Sequence, residues 1–239
     1  MNAVAGGGTL LTFPALIGLG IAPLTANATS TVALWPGSAS SFWGYRRELS
    51  GARRWAIGFA LPSFLGGAVG ALLLLATDEK TFSDLVPWLV LGATVLFMGQ
   101  GPLRAWLGKR SAPATSDGTD RFPRPQLLVF QFLIGIYGGY FGAGAGILML
   151  AALGLMGLTN IHRMNGLKNW GGLCMNAIAA ITFAFSGLVN WPVALSMAVG
   201  AIGGGYLGSK GAQRVSQGAV RATVTIIGLG SGVWLLLKR

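Results

Sequence analysis

Five stretches without a charged side chain limit the folds open to this chain more than any other feature of its sequence. They are residues 1–45, 55–77, 85–103, 125–161 and 169–209. A membrane-spanning helix needs roughly 20 mostly apolar residues, and several of the stretches exceed that length. Only 10% of the 239 residues are charged and the mean hydropathy is +0.64, whereas a soluble domain usually has about 25% charged residues. The sequence therefore predicts an all-α polytopic membrane protein.

The formal net charge is +11, and this excess of Lys and Arg needs an explanation. The basic residues are dispersed between apolar segments and do not build one face of a folded domain. Cytoplasmic loops of membrane proteins are enriched in Lys and Arg, which accounts for the charge. We predict no nucleic-acid partner and a multi-pass location in the inner (plasma) membrane of the cell.

A glycine-rich motif occurs twice in the apolar sequence. Residues 5–11 read AGGGTLL and residues 143–149 read AGAGILM. Each copy is followed by a short apolar stretch and a polar cluster, ANATST at 26–31 and RMNGLK at 163–168. Glycine-interrupted segments in corresponding positions of two halves are a sequence pointer to a transporter's binding site. The repetition therefore predicts two homologous halves with a central site.

The two halves share one plan, a glycine-broken segment followed by three ordinary helices. The first membrane repeat covers residues 1–108 and the second covers 126–239, with a polar linker at 109–125. An apolar arm, residues 126–141, precedes the second glycine run, whereas only residues 1–4 precede the first. The first hairpin is therefore expected to lack its leading arm.

The loop charges predict that the halves face opposite ways. The loop at 46–54 carries a net charge of +3 and its counterpart at 186–190 carries none. The next loop, 78–84, is acidic (−2), whereas its counterpart at 209–221 is basic (+3). Lys and Arg favour the cytoplasmic side, so an inverted repeat is predicted. It needs an odd number of crossings per half, which makes each glycine-broken segment a re-entrant hairpin covered by protein or by a water-filled cavity.

The glycine breaks and the polar clusters together predict an anion site. A break between half-helices exposes backbone N–H groups without an intrahelical partner. Glycine lets a substrate approach those groups, and the helix N-terminal dipole favours negative charge. The clusters add hydroxyls, amides and the charge of Lys168, which is costly to bury without a function. The predicted substrate-binding residues are Gly6, Gly7, Gly8, Asn27, Thr29, Ser30, Gly144, Gly146, Asn165 and Lys168.

Several of these residues have a structural alternative. Glycine runs also suit close helix packing, as does the glycine face at residues 66–70. Capping of the following helix is an alternative for Thr29 and Ser30. Arg163 fits an interfacial charge that snorkels outward. The only histidine, His162, fits an interfacial position beside it.

The repeated motifs resemble those of the sulfite exporter TauE/SafE family. The resemblance rests on GGGTLLTFPAL at 6–16, ANATS at 26–30, YRR at 45–47, GAGAGIL at 142–148 and NIHRMNGLKN at 160–169. It covers nearly the whole chain outside the linker. The second glycine run departs from the pattern, because an alanine interrupts it and no proline follows at the matching place. The resemblance implies movement of small sulfur-containing or organic anions, often outward.

The leading functional prediction is a secondary carrier that moves a small anion, such as sulfite or an organosulfonate, across the cell membrane, in the direction of export. The sequence has no Gly-x-x-x-x-Gly-Lys-Ser/Thr motif for ATP and no Gly-x-Ser-x-Gly nucleophile elbow. With one His and one Cys, we predict no enzyme, metal or cofactor. The predicted partners are the anion and the lipid bilayer, with a homo-oligomer left open. A non-transporting membrane scaffold or assembly factor is the alternative.

Overall fold

Helices account for most of the chain. The structure, a computed structural model, describes residues 8–49, 52–110, 122–155, 158, 160–211 and 217–237. Within these ranges the chain forms helices and short turns without a strand, which confirms the predicted all-α class. Gly6, Gly7 and most of the predicted linker lie outside the described residues. The helices are α1 Gly8–Gly18, α2 Pro23–Tyr45, α3 Arg53–Ala76, α4 Glu79–Arg110, α5 Pro125–Tyr140, α6 Ala145–Leu155, α7 Ile161–Ala184, α8 Trp191–Gly211 and α9 Gln217–Leu237, with a short 3-10 helix at Arg46–Leu49.

Helices α3 and α4 have the length and composition of membrane spans. Among the described residues, Arg53–Ala76 and the Glu79–Leu103 part of α4 are the two segments that are long and apolar enough to cross a membrane. Helix α3 exposes large apolar side chains such as Leu61 and Leu72 and buries Phe59 together with several glycines. Such a distribution suits a helix that faces lipid on one side and packs through small residues on the other.

The second glycine run interrupts the helical chain between α5 and α6. Gly142 and Gly144 have φ angles of +79° and +80°, a left-handed conformation that glycine adopts without the steric cost of a Cβ. The Tyr137 hydroxyl donates a hydrogen bond to the Ala143 carbonyl at 2.5 Å, which ties the break to the last turn of α5. The helix break predicted from the glycine run is therefore present in the second half.

Helices α5, α6 and α7 meet the start of α3 at one end of the bundle. Trp55 of α3, Leu127 of early α5 and Leu153 of late α6 belong to one buried apolar cluster. The Trp170 indole, in the third turn of α7, donates to the Ala56 carbonyl of α3 at 2.7 Å. Helices α5, α6 and α7 therefore share one apolar cluster with the start of α3.

The contacts between helices of the first half and helices of the second half occur in corresponding pairs. Helices α1 to α4 correspond in order to α6 to α9. Helix α2 packs on α8 as α7 packs on α3, and α1 contacts α9 as α6 contacts α4. The corresponding helices α2 and α7 also contact each other, as do α4 and α9. Reciprocal contacts of this kind are those of two similar units related by a two-fold axis.

The corresponding helices α2 and α7 run in opposite directions. Near the end of α2, the Phe42 ring lies 5.0 Å from the ring of Trp170 in early α7. Near the start of α2, the Thr29 hydroxyl accepts a hydrogen bond from the Asn190 amide at 3.0 Å. Asn190 comes after the end of α7. The start of one helix therefore lies beside the end of the other.

Glycines allow α3 and α5 to pack backbone against backbone. A Cβ added to Gly66 would collide with the Phe132 carbonyl, and one added to Gly70 would collide with the Ile136 carbonyl. A Cβ added to Gly139 on α5 would likewise collide with the backbone of α3. Close packing at the glycine face of residues 66–70, expected from the sequence, is confirmed.

Both polar clusters lie inside helices. Thr29 and Ser30 are in the second turn of α2, which begins at Pro23. The alternative that they cap a following helix is therefore wrong, because proline, with its fixed φ, starts that helix one and a half turns earlier. Helix α7 likewise begins before the second cluster. Its N-cap is Asn160, whose Oδ1 accepts two backbone amides of the first turn at 3.0 and 3.1 Å.

Candidate functional site

A cavity of about 80 Å³ lies where the break between α5 and α6 meets α2 and α7. We call it the lysine lobe, after the one cation among its described lining residues. The break contributes backbone, α2 contributes a serine, and α7 contributes a polar strip. The lining residues are Ser38, Gly142, Gly146, Met149, Lys168, Asn169, Gly172, Leu173, Met175 and Asn176.

A second cavity of about 50 Å³ adjoins the first, and we call it the neutral lobe. Ser38, Gly142 and Asn176 line both lobes, so the two form one central cavity. The neutral lobe adds hydroxyl groups and an indole to the lining. Its lining residues are Thr9, Thr31, Leu34, Trp35, Ser38, Phe141, Gly142 and Asn176.

Lys168 gives the central cavity its charge. The side chain is 6% exposed and lies in the second turn of α7. Its stem runs beside α6, since a Cβ added to Gly146 would lie 3.3 Å from Lys168 Cδ. No carboxylate occurs among the described residues that line either lobe. A buried cation that lines a cavity offers its positive charge to an anionic ligand, because an opposite charge offsets part of the cost of removing the anion from water.

Amide groups on α7 add hydrogen-bond donors beside the lysine. Asn169 Nδ2 is buried and has no hydrogen-bond partner in the part of the chain that the structure describes. Asn176 Nδ2, two turns along the helix, donates to the Gly172 carbonyl at 2.8 Å. A buried donor without a partner costs free energy unless a ligand or water accepts its hydrogen bond. Asn169 therefore provides a donor for a ligand with acceptor oxygens.

The glycine break brings the start of α6 to the cavity. The Gly144 carbonyl accepts from Ile147 N at 2.9 Å, and Gly146, in the first turn, lines the lysine lobe. The start of a helix carries the positive end of the helix dipole, although the Ala145, Ile147 and Leu148 amides of α6 already donate to the Gly142 and Gly144 carbonyls. The lysine lobe therefore combines a lysine charge, an amide donor and a helix N-terminus.

The structure brings together only some of the residues predicted for the site. Gly146 and Lys168 line the lysine lobe. Gly144 lies at the break, but a Cβ added to it would face Ala93 of α4. Asn165 is half-buried on α7 and is not one of the described lining residues. Gly8 begins α1, and Gly6 and Gly7 lie outside the described residues.

The predicted residues of the first cluster connect helices. Asn27 Nδ2 donates to the Tyr140 carbonyl at 2.8 Å. Thr29 Oγ1 accepts the backbone amide just before α8 at 3.0 Å, and Ser30 Oγ lies 2.7 Å from Thr12 Oγ1. The three side chains are fully buried and are not among the described residues that line the central cavity. Their contact with substrate stays a prediction.

Several lining residues were not predicted, although a signal for them exists in the sequence. The two halves are related by a constant offset of 138 positions, which pairs Gly8 with Gly146 and Asn27 with Asn165. The same offset pairs lining residues of α2 with lining residues of α7. These pairs are Thr31 with Asn169, Leu34 with Gly172, Trp35 with Leu173 and Ser38 with Asn176. The central cavity is therefore built from corresponding faces of the two halves.

Sequence comparison agrees with the residues that resemble a known family. The family described as "Sulfite exporter TauE/SafE" matches residues 1–235. The chain belongs to this family. A relative in Haemophilus influenzae, named "Probable membrane transporter protein", is 30% identical over 95% of this chain and 86% of its own length. The Escherichia coli K12 protein "Probable membrane transporter protein YfcA" is 28% identical over 95% of this chain and 81% of its own length.

A Sinorhizobium relative, "Probable membrane transporter protein ORF9", is 28% identical over 99% of this chain and 87% of its own length. No solved structure matches the chain. The family and the names of these relatives support a membrane transporter, and therefore a membrane protein. The central cavity between the two halves is the structural candidate for its transport site.

Proposed function

We propose that the chain is a secondary carrier that moves a small anion, such as sulfite or an organosulfonate, across the cell membrane through the central cavity, in the direction of export. The observation that carries the proposal is Lys168, a buried cation that lines a cavity without a carboxylate among its described lining residues. The name of the family supports the sulfur oxyanion and the outward direction.

The lysine lobe offers three kinds of group to an oxyanion. Lys168 supplies full positive charge, Asn169 Nδ2 supplies a buried donor that has no partner among the described residues, and the start of α6 supplies the positive end of its helix dipole. Hydrogen bonds to a charged group are about twice as strong as neutral ones. The oxygens of a sulfite or sulfonate group can accept hydrogen bonds from the lysine and the amide, and the dipole favours their negative charge.

The neutral lobe gives room for the uncharged part of an organic anion. Trp35 provides an apolar surface, and Thr9 and Thr31 provide hydroxyls that can donate or accept. A bare oxyanion needs only the lysine lobe. An organosulfonate would extend from Lys168 past Ser38 and Asn176, which line both lobes, into the neutral lobe.

Transport through this cavity requires that it open to each side in turn. We infer that the two halves form an inverted repeat in the membrane and that α5 and α6 form a re-entrant hairpin. The antiparallel direction of α2 and α7 and the corresponding helix contacts support the inverted repeat. In transporters with such repeats, the two halves rock against each other around a site near the middle of the bilayer.

The proposal is tested by removing the charge of Lys168. Lys168→Met keeps the length of the side chain, so the cavity is still filled. In proteoliposomes we expect the flux of subsaturating sulfite or organosulfonate to fall about tenfold or more, since a hydrogen bond to a charged group contributes ~1.5–3 kcal/mol. Lys80→Met, at an exposed position of early α4, is the matched control and should transport like the unchanged protein.

Equal flux in the two variants would contradict an anion site at Lys168. If the unchanged protein moved none of the tested anions, the non-transporting scaffold would become the better interpretation. Direction is tested with oriented vesicles. Inside-out vesicles should accumulate sulfite if the protein exports it, and accumulation confined to right-side-out vesicles would contradict export.

A further inference from the structure

Three buried side-chain atoms in the described part of the chain have no hydrogen-bond partner: Asn27 Oδ1, Gln131 Oε1 and Asn169 Nδ2. Asn169 Nδ2 is a donor and belongs to the anion site. Gln131 lies between α5 and α3, where its Nε2 donates to Ser63 Oγ at 2.8 Å. Asn27 Oδ1 is an acceptor beside the glycine break, and neither the anion site nor helix packing uses it.

Asn27 lies at the carbonyl end of α5, before the glycine break, whereas Lys168 lies beside the start of α6, after it. The side chain is 0% exposed, and its Nδ2 donates to the carbonyl of Tyr140, the last residue of α5, at 2.8 Å. The carbonyl end of a helix carries the negative end of the helix dipole. The Tyr137 carbonyl already accepts from Phe141 N and Gly142 N, whereas the Tyr140 carbonyl accepts from Asn27 Nδ2 and has a second lone pair that can face a cation. The unpartnered Oδ1 thus adds another oxygen to a region that already favours positive charge.

Asn27 lies next to residues that line the neutral lobe. Thr31, one turn along α2, lines that lobe and donates to the Asn27 carbonyl at 2.9 Å. Phe141 and Gly142, which follow Tyr140, line it as well. A ligand in the neutral lobe therefore needs to move only about one helical turn to meet Asn27 Oδ1.

The chemistry of these oxygens selects the ligand. Asn27 and the helix carbonyls are neutral and do not titrate, so they can hold a metal cation but cannot store a proton. Among the described residues, no three His, Cys, Asp or Glu side chains form a group that could hold a metal. Carboxylates are the usual ligands of divalent cations, whereas neutral carbonyl oxygens suit monovalent ions.

We propose that Asn27 Oδ1 and the carbonyl end of α5 bind a monovalent metal cation, with sodium as the test ion, and that this binding is coupled to anion transport. The coupling rests on the proposed function; the cation site itself does not. The anion at the start of α6 and the cation at the end of α5 both order the same four residues, 141–144. Each ligand therefore favours the binding of the other, and the effect is reciprocal.

The site is tested first by binding, with the purified full chain in detergent. Sodium chloride should raise the apparent Tm in a saturable way relative to choline chloride at equal ionic strength. Asn27→Ala should abolish this rise. Asn190→Ala is the matched control, because Asn190 Oδ1 already accepts from Val193 N at 3.3 Å, and it should respond to sodium like the unchanged protein.

Two results would overturn the cation site: no rise in Tm with sodium, potassium or lithium, or the same rise in Asn27→Ala. If Asn27→Ala does not fold, Asn27→Asp serves instead, since it loses the hydrogen bond to the Tyr140 carbonyl but adds a negative charge that a bound cation offsets. Its half-saturating sodium concentration should fall about tenfold, equivalent to ~1.4 kcal/mol. An unchanged sodium response in Asn27→Asp would also overturn the assignment.

Coupling is tested by flux in the same proteoliposomes. Replacing sodium with choline should lower sulfite flux at least about fivefold, within the usual range for coupled sites. Equal flux in sodium and choline would overturn coupling and leave the anion carrier intact. A sodium response that depends on Asn27, together with no anion flux in any salt, would refute the carrier and retain the cation site.

Discussion

At the scale of single residues, the absence of a side chain at Gly146 leaves room for Lys168, which gives the central cavity its charge. Gly146 and Lys168 come from different helices, and an added Cβ at Gly146 would lie 3.3 Å from Lys168 Cδ and 3.6 Å from its Cγ. Cβ contacts in packed proteins are rarely so short, so the lysine stem would have to shift. Glycine at this position therefore lets Lys168 lie against the start of α6, where the helix dipole and the ammonium group act on the same ligand.

Gly146→Ala should accordingly weaken transport without unfolding the protein. We expect subsaturating sulfite flux to fall about fivefold, equivalent to ~1 kcal/mol of lost binding, because the ammonium group moves away from its ligand. Gly92→Ala is the control, since a Cβ there meets nothing within 4 Å. It should leave flux unchanged and slightly raise the Tm, because alanine is the better helix residue. Equal flux in the two variants would contradict the positioning role of Gly146.

The sequence identifies Lys168 and Gly146 but not the amides next to them. A lysine within an apolar segment stands out by the cost of its burial, and a repeated glycine run stands out by composition. Asn169 and Asn176 stand out by neither, because only the rotational phase of α7 turns them towards the cavity. The sequence likewise does not predict that the hydroxyls of Thr29 and Ser30 join α2 to neighbouring segments, and their contact with substrate stays a prediction.

At the scale of elements, the α3–α5 interface fixes the arm that carries the glycine break. A Cβ added to Gly70 would collide with the Ile136 carbonyl and lie 2.7 Å from Tyr140 N. Tyr140 is the last residue of α5, so any shift that relieves this collision also moves the break. Packing between these two helices and the shape of the central cavity are therefore linked.

Gly70→Ala should destabilise the fold by about 1–3 kcal/mol, the usual range for overpacking a well-packed region. The measurement is thermal unfolding in detergent, followed by the loss of the monodisperse peak in size-exclusion chromatography. Gly230→Ala on α9 is the control, because a Cβ there meets nothing within 4 Å. Equal Tm values for the two variants would show that α3 and α5 can separate without cost.

The start of α4 provides a pH-dependent prediction outside the membrane spans. Thr81 Oγ1 donates to Asp78 Oδ2 at 2.6 Å and Thr81 N donates to Asp78 Oδ1 at 2.9 Å. The hydroxyl bond first, and then the amide bond, lower the pKa of Asp78 below its ordinary value of 3.8. A lowered folded pKa means that this stabilisation is present above pH 3.8 and is lost as the pH falls through the folded value.

Asp78→Asn keeps an oxygen acceptor for the cap but does not titrate. Between about pH 5 and pH 3, the Tm of the unchanged protein should therefore fall more steeply than that of Asp78→Asn. The effect should be small, because Asp78 is exposed and water screens its charge. Parallel Tm profiles in the two proteins would show that the Thr81 hydrogen bonds do not persist in solution.

At the scale of the whole molecule, the sequence predicts the number and order of helices better than their partners. Long charge-free stretches mark candidate spans, and the loop charges predict an inverted repeat. Which helices touch was not predictable, because a glycine face such as residues 66–70 is compatible with any close neighbour. The corresponding contacts of the two halves and the shared lining of the central cavity depend on how α2 and α7 pack against each other, which only the three-dimensional structure gives.

The orientation of the halves can be tested by labelling single cysteines with a membrane-impermeant reagent. Cys174 is buried, so Cys174→Ala gives a background without cysteine. Because α2 and α7 are antiparallel, cysteines introduced just after them, at Arg46 and Phe185, should react from opposite sides of the membrane.

The α5–α6 hairpin is tested in the same way. Cysteines at Phe122 and His162 flank the proposed hairpin and should react from the same side as a cysteine at Arg46. A cysteine at Lys80 should react from the same side as one at Phe185. Phe122 and His162 on opposite sides would refute the hairpin, whereas Arg46 and Phe185 on one side would refute the inverted repeat.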